Sequence, residues 1–245
     1  MKVIFISADN LYLTPYLRLY TDILDANNDE YDVLYWDKRQ NEPSSRKNYH
    51  RFIEGKKAEK ATVFGYIKFR NWILKKLKML APDFLICLHQ VANLILADVL
   101  LFRFSGKYIY DVRDYSYERF LIVRIVQRIF VRKSAMNIIS SEGYRNFLPQ
   151  GEYYIAHNLP AGFTKNCQKK SFGANNPIRI SYIGLIRFME QNKKIIRFFC
   201  NDERFILYFI GTGAEQLKEY CESIGAKNIV LIGTFDPQDT LQYYE

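Results

Sequence analysis

The feature that most constrains this chain is an alternation. Short apolar runs rich in Val, Ile, Leu, Phe and Tyr take turns with stretches of helical periodicity along nearly all of its 245 residues. That alternation is the mark of a parallel sheet whose strands are joined by crossover helices. Strands are expected at Val3–Ser7, Tyr31–Trp36, Asp83–Leu88, Lys107–Asp111, Met136–Ser140 and Tyr153–Ala156. Helices are expected over 14–27, 62–80, 91–104, 117–133 and 142–148. Thr14-Pro15 opens the first of these with an N-cap and a first-position proline, and Pro82 follows the second. Residues 38–60 are polar, basic and poorly periodic, and read as a long loop that includes at most a helical turn.

Residues 161–177, with two glycines, several lysines and asparagines and Pro177, have the composition of a linker. A second α/β series follows: strands Ile178–Ile183, Phe205–Ile210 and Ile229–Ile232, with helices Gln191–Cys200 and Ala214–Ser223, the latter stopped by Gly225. Asp236-Pro237 opens a last helix. Three strands make a thin sheet for a domain of this kind. The expected architecture is therefore α/β, with one complete Rossmann-like domain over 1–160, a linker over 161–177 and an incomplete second Rossmann-like domain over 178–245.

Composition narrows the function classes. The 49% hydrophobic and 25% charged content is that of an ordinary globular protein. Cys87, Cys167, Cys200 and Cys221 are scattered, against a zinc site or disulfide framework and in keeping with a reducing compartment. The start is too short in apolar residues for a signal peptide, and no window holds 18 uninterrupted apolar residues, so no transmembrane helix and a cytoplasmic place are expected. Eleven Lys/Arg against two acids in residues 45–80 carry a net +9, equal to the excess of the whole chain. Such a block marks an anionic partner. Phe64, Phe69, Trp72 and Ile73 interleave with Lys68, Arg70, Lys75, Lys76 and Lys78, a pattern that suits a helix on the inner face of an anionic membrane. The competing reading is a solvated basic face whose apolar residues point into the core. Arg124, Arg128 and Arg132 form a second basic row. Nucleic acid is not an expected partner, since no recognised module accompanies the charge.

The motifs add chemistry. Ala8-Asp9-Asn10-Leu11-Tyr12 follows the first strand without glycine, so the dinucleotide turn G-x-G-x-x-G is missing. In the second series a glycine follows every strand: Gly184, then Gly211 and Gly213, then Gly233. Glycine at a strand's carboxyl end lets backbone N–H groups approach phosphate. Arg187, Lys193 and Lys194 lie just past the first of these and could meet a diphosphate, or could line a solvated loop and helix face. Asp111, Arg113 and Asp114 end the strand Lys107–Asp111, where they could bind a hydroxylated ligand or close the strand end as an Asp–Arg pair. His89, directly after another strand, sits on the same ligand edge, though a lone histidine also serves as a structural hydrogen-bonder. His50, His89 and His157 are isolated, so no metal site is expected.

Taken in order, these motifs resemble the retaining, nucleotide-sugar-dependent glycosyltransferases of the GT-B fold, family 4. Asp111-Val112-Arg113-Asp114 is similar to the D-I-R-D or D-I-H-D segment of their acceptor domain. Ile138-Ile139-Ser140-Ser141-Glu142-Gly143 resembles the strand and serine that follow, and Ile155-Ala156-His157-Asn158-Leu159-Pro160 the entry to the interdomain linker. Ser181-Tyr182-Ile183-Gly184, Leu207–Glu215 with its G-x-G, and Asn228–Phe235 resemble successive strand-and-glycine segments of the donor domain. The chain departs from the family at Leu185, where an Arg is usual, and the family's E-x7-E segment would fall beyond Glu245. The resemblance implies transfer of a sugar from a nucleotide-diphosphate donor to the hydroxyl of a sugar or lipid-linked acceptor, with no cofactor and no metal. It implies catalytic roles for Asp111 and Asp114, acceptor binding by His89 and Arg113, and donor binding by Gly184, Arg187, Lys193, Lys194, Gly211, Gly213 and Gly233. Cell-surface polysaccharide or glycolipid synthesis is the expected setting. The alternative is a non-catalytic remnant of the fold that holds a ligand or partner without transferring anything.

Overall fold

A computed structural model describes residues 1–42, 46–55, 62–115, 117, 119–158, 176–235 and 242–243. The expected linker as far as residue 175, and the expected helix start at Asp236-Pro237, lie outside the described residues. The chain divides into two compact units, Met1–Ala161 and Gly162–Glu245.

The first unit runs β1 (Lys2–Ser7), α1 (Leu17–Ala26), β2 (Glu30–Trp36), β3 (Tyr49–Phe52), α2 (Val63–Leu80), β4 (Phe84–Cys87), α3 (Gln90–Ile95), β5 (Tyr108–Val112), α4 (Leu121–Lys133), β6 (Met136–Ile139) and β7 (Tyr154–Ile155). Its seven strands form one sheet in the order β3-β2-β1-β4-β5-β6-β7, and every pair is parallel. Period-two side-chain alternation covers both faces, as a buried parallel sheet requires. Ile4, Ile6, Leu34, Trp36, Tyr108 and Tyr110 pack with Phe69, Ile73 and Leu77 of α2 and Phe130 of α4. Val3, Phe5, Val33, Tyr35 and Ile86 form the other core with Tyr16 and Leu17.

Several expected elements take a different form. The long loop over 38–60 contains β3, an edge strand whose polar YHRF sequence hides any alternation. Its His50 meets Asp32 at 2.7 Å and its Arg51 meets Asp37 at 3.4 Å, the kind of charged edge that resists further pairing. The first helix begins at Leu17 rather than Thr14, whose hydroxyl turns back to the Leu11 carbonyl and does not cap. The expected helix over 91–104 breaks after Ile95 and resumes as a π-helical turn over Val99–Arg103. Arg70 reaches across from α2, takes the freed Ile95 carbonyl and forks onto Asp98 at 2.9 and 2.7 Å. Residues 142–146 form a 3-10 turn instead of a helix. Thr62, expected as the first residue of the helix, instead caps α2 by accepting from the Gly65 N–H.

The basic block is likewise rearranged. Phe69 and Ile73 are wholly buried and Trp72 packs against the same core, so only Phe64 of the four interleaved apolar residues is exposed. Apolar residues inward thus describes Phe69, Trp72 and Ile73, whereas Val63, Phe64, Ile67 and Met79 of α2 remain exposed. Lys68 pairs with Glu54 and Arg70 with Asp98, which removes part of the free charge. Lys56, Lys57 and Lys60 lie outside the described residues.

The second unit runs β8 (Ile178–Ile183), α5 (Met189–Phe199), β9 (Phe205–Ile210), a 3-10 turn over Ala214–Leu217 leading into α6 (Lys218–Ser223), and β10 (Ile229–Ile232). Its parallel sheet has the order β10-β9-β8. Ile186, Ile196, Leu207, Phe209 and Leu217 make its core. Among the described residues, no helix is long and apolar enough to cross a membrane.

Candidate functional site

In the first sheet the chain leaves β1 toward one edge and β4 toward the other. Neighbouring strands whose connections run in opposite directions open a crevice at their carboxyl ends, the usual ligand position of such sheets. A cavity of about 180 Å³ lies there, lined by Ala8, Asp9, Lys38, His89, Asp114 and Tyr117 among others.

One wall is an ion pair. Lys38 follows β2, is buried, and places Nζ 2.9 Å from Asp9 Oδ2 and 5.2 and 5.4 Å from the ring centres of Trp36 and Tyr66. Asn10 anchors the same turn by donating to the buried Asp37 at 2.6 Å. The opposite wall carries unspent polarity. His89 Nε2 and Gln90 Nε2 are buried without a hydrogen-bond partner among the described residues. Tyr110 donates to Gln90 Oε1 at 3.2 Å and so fixes which end of that amide stays free. Burial pushes the His89 imidazole below its ordinary range, against the opposing pull of Asp9 and Asp114. A neutral imidazole and an amide left unpaired at a cavity wall are groups for a ligand to satisfy, since an unmade buried hydrogen bond is costly.

The end of β5 divides into a buried clamp and a free carboxylate. Asp111 is 1% exposed and accepts from Tyr20 Oη and Arg113 Nε, each at 2.6 Å. Arg113 also donates to the Ala156 carbonyl and to Asn158 Oδ1 at 2.8 Å, and it lies over the Tyr16 ring at 4.7 Å. It thereby ties β5 to the strand exit after β7. Burial raises the Asp111 carboxyl, and the Arg113 guanidinium and Tyr20 hydroxyl oppose that rise. Asp114, two residues past the strand, is exposed and lines the cavity. The structure thus brings His89, Arg113 and Asp114 together, with Asp111 supporting them from behind.

In the second unit, the glycines mark where strand-end loops approach one another. Gly211 has φ +131°, and a Cβ there would stand 1.9 Å from the Gly184 carbonyl oxygen. Gly213, at φ +97°, would meet the Ile186 carbonyl at 2.8 Å. Both are thus demanded by packing. Space is open beside Gly184 and Gly233. The Gly213 N–H donates to the Glu215 carboxylate at 3.2 Å, and Thr212 and Thr234 join hydroxyls at 3.0 Å across the ends of β9 and β10. Arg187 is exposed just before the N-terminus of α5, as is Lys194 on its first turns. Lys193 is turned away, 2.8 Å from Glu190 and over the Tyr220 ring.

Asp9, Lys38 and Gln90 were not among the expected site residues. Asp9 directly follows the first strand, so its place on the ligand edge was readable. Lys38 lay within the stretch taken as a loop, and only the folded topology carries it to β1.

No family model and no curated protein matches the sequence. Solved structures do. The chain is similar to sucrose-phosphate synthase from Thermosynechococcus elongatus, with a TM-score of 0.67 and 12% identity over 100% of this chain and 73% of that one. It is similar to the lipopolysaccharide outer core galactosyltransferase WaaB, at 0.61 and 14% over 99% and 71%. It is also similar to Anabaena HepE in complex with UDP and glucose, at 0.61 and 15% over 99% and 71%. A UDP-N-acetylglucosamine 2-epimerase has the same fold, at 0.57 and 9% over 99% and 71%. At these identities the likeness establishes the fold: a GT-B-like α/β chain with a complete first Rossmann-like domain and part of a second.

Proposed function

We propose that this chain is a glycosyltransferase that moves a sugar from a nucleotide-diphosphate donor to an acceptor hydroxyl with retention of configuration, as the family 4 resemblance implies. The observation that carries the reading is the cavity at the switch point of a GT-B-like sheet, with His89 Nε2 and Gln90 Nε2 buried in its wall and unpaired. Such groups suit a polyhydroxylated acceptor, which offers both donors and acceptors of hydrogen bonds. Asp114 is the carboxylate free to hold an acceptor hydroxyl, while Asp111 acts on Arg113 as a positioning residue. The donor belongs on the glycine-ended edge of the second unit, with Gly184 and Gly233 giving the phosphates room and Arg187 and Lys194 supplying charge. The acceptor class we assign is a sugar or lipid-linked sugar of cell-surface polysaccharide or glycolipid synthesis, handled on the cytoplasmic side.

The test is turnover with a panel of UDP- and GDP-sugars, with and without a hydroxylated acceptor. Transfer predicts nucleoside diphosphate released only when acceptor is present, and a product with the donor's anomeric configuration. A donor sugar altered in the absence of acceptor would make the chain an epimerase, the activity that one structural neighbour is named for. Binding of a nucleotide-sugar with no turnover under any pairing would make it a binding module.

A further inference from the structure

The solvent side of α4 is divided lengthwise in a way that no part of the transfer reaction uses. Val123, Gln127, Phe130 and Val131 of this helix face the core. The rest of its surface holds two parallel strips. Arg124, Arg128 and Arg132 recur every four residues and stand in one row. They line a groove of about 580 Å³ whose other wall is Phe147–Gly151. The second strip is aliphatic: Leu121 and Ile122 are 72% and 71% exposed, and Ile125 and Ile129 are also exposed. Beyond it stands Phe102, 80% exposed, with Lys133 Nζ 5.5 Å from its ring centre.

Going around the helix, cations thus flank an aliphatic ridge on both sides. None of the three guanidiniums in the row has an ion pair or hydrogen bond among the described residues. Neither α4 nor the groove contains a carboxylate. The aliphatic strip is unfavourable in water, and the three unpaired guanidiniums beside it set up a positive potential that attracts anions. A surface that answers both presents phosphate groups above and hydrocarbon below.

We propose that this face of α4 seats the protein on an anionic phospholipid surface, the Arg124/Arg128/Arg132 row taking lipid phosphates in its groove and Leu121, Ile122, Ile125 and Ile129 entering the headgroup–acyl boundary. The shared chemistry is phosphate recognition by forked donors. The aliphatic strip, which a small soluble phosphate would leave in water, selects the lipid as its source. The site is separate from α2, where Val63, Phe64, Ile67 and Met79 stay exposed while Lys68 and Arg70 are ion-paired.

The experiment is co-sedimentation of the full chain with vesicles of phosphatidylglycerol mixed with phosphatidylcholine, and with phosphatidylcholine alone. Pelleting is expected with the first and not with the second. Each basic residue beside an anionic surface changes partitioning roughly fivefold, so Arg124→Gln with Arg128→Gln lowers it on the order of 30-fold. Ile122→Ser with Ile125→Ser lowers it at unchanged charge, whereas Lys75→Gln with Lys78→Gln has a smaller effect. All of these positions are exposed, and matching circular dichroism and melting curves show that the variants stay folded. Absence of pelleting, equal pelleting with both vesicles, or a loss caused only by the α2 lysines would overturn the proposal. Saturable calorimetric binding of pyrophosphate to the Arg row without vesicle association would assign the groove to a soluble phosphate. Vesicle binding that an acidic amphipathic peptide displaces, with Ile122→Ser and Ile125→Ser leaving vesicle binding intact, would assign the ridge to a protein partner.

Discussion

At the scale of single residues, Asp111 and Asp114 are three positions apart and differ in every physical respect. Asp111 is the buried counter-charge of Arg113, and Asp114 is exposed at the cavity. Removing one partner of a buried ion pair strands the other, so Asp111→Ala is expected to lower unfolding free energy by about 3–5 kcal/mol. Asp114→Ala is expected to change it by less than about 0.5 kcal/mol while reducing acceptor use. Urea titration separates them, and equal midpoints would remove the distinction. His89 supplies a pH signature. Its folded pKa is depressed by burial, so its contribution is complete above the ordinary histidine value of 6.5 and is lost as pH falls from there through the depressed folded value. Stability of the wild-type chain should decline over that window, and His89→Gln should flatten the decline. An unchanged profile in the variant would place the titrating group elsewhere.

At the scale of elements, the strand-end loops of the second unit make a graded prediction. Both glycines sit at positive φ and are strained by a side chain, but Gly211→Ala also drives its Cβ into the Gly184 carbonyl, whereas a Cβ at Gly184 meets no atom within 4 Å. Thermal melting should show the first variant less stable than the second by more than about 1 kcal/mol, and the reverse order would contradict the observed loop packing. The same elements show what local sequence can carry. Strands β1, β2, β8, β9 and β10 were legible because their apolar runs are dense and bounded by turn residues. The edge strand β3 was not, since Tyr49–Phe52 pairs on one side only and interposes His50 and Arg51. The break after Ile95 was hidden too, because Arg70, which takes the freed Ile95 carbonyl, lies 25 residues away. At the candidate site, His89, Arg113 and Asp114 were readable as residues at strand ends. Lys38, which lines the same cavity, became visible only when the topology placed β2, β1 and β4 side by side.

At the scale of the whole molecule, each unit contributes a different surface. The first carries a small polar cavity at its switch point and a two-strip helix face. The second carries glycine-ended strands suited to phosphates. The central claim is that the chain takes a nucleotide-sugar on that second edge. Amide-resolved NMR of the full chain, titrated with UDP- and GDP-sugars, tests it most directly. The account predicts saturable shifts in the amides of Gly184, Arg187, Gly211, Gly213 and Gly233, weakened by Arg187→Ala. No shift with any nucleotide-sugar, or shifts confined to the first unit, would contradict it.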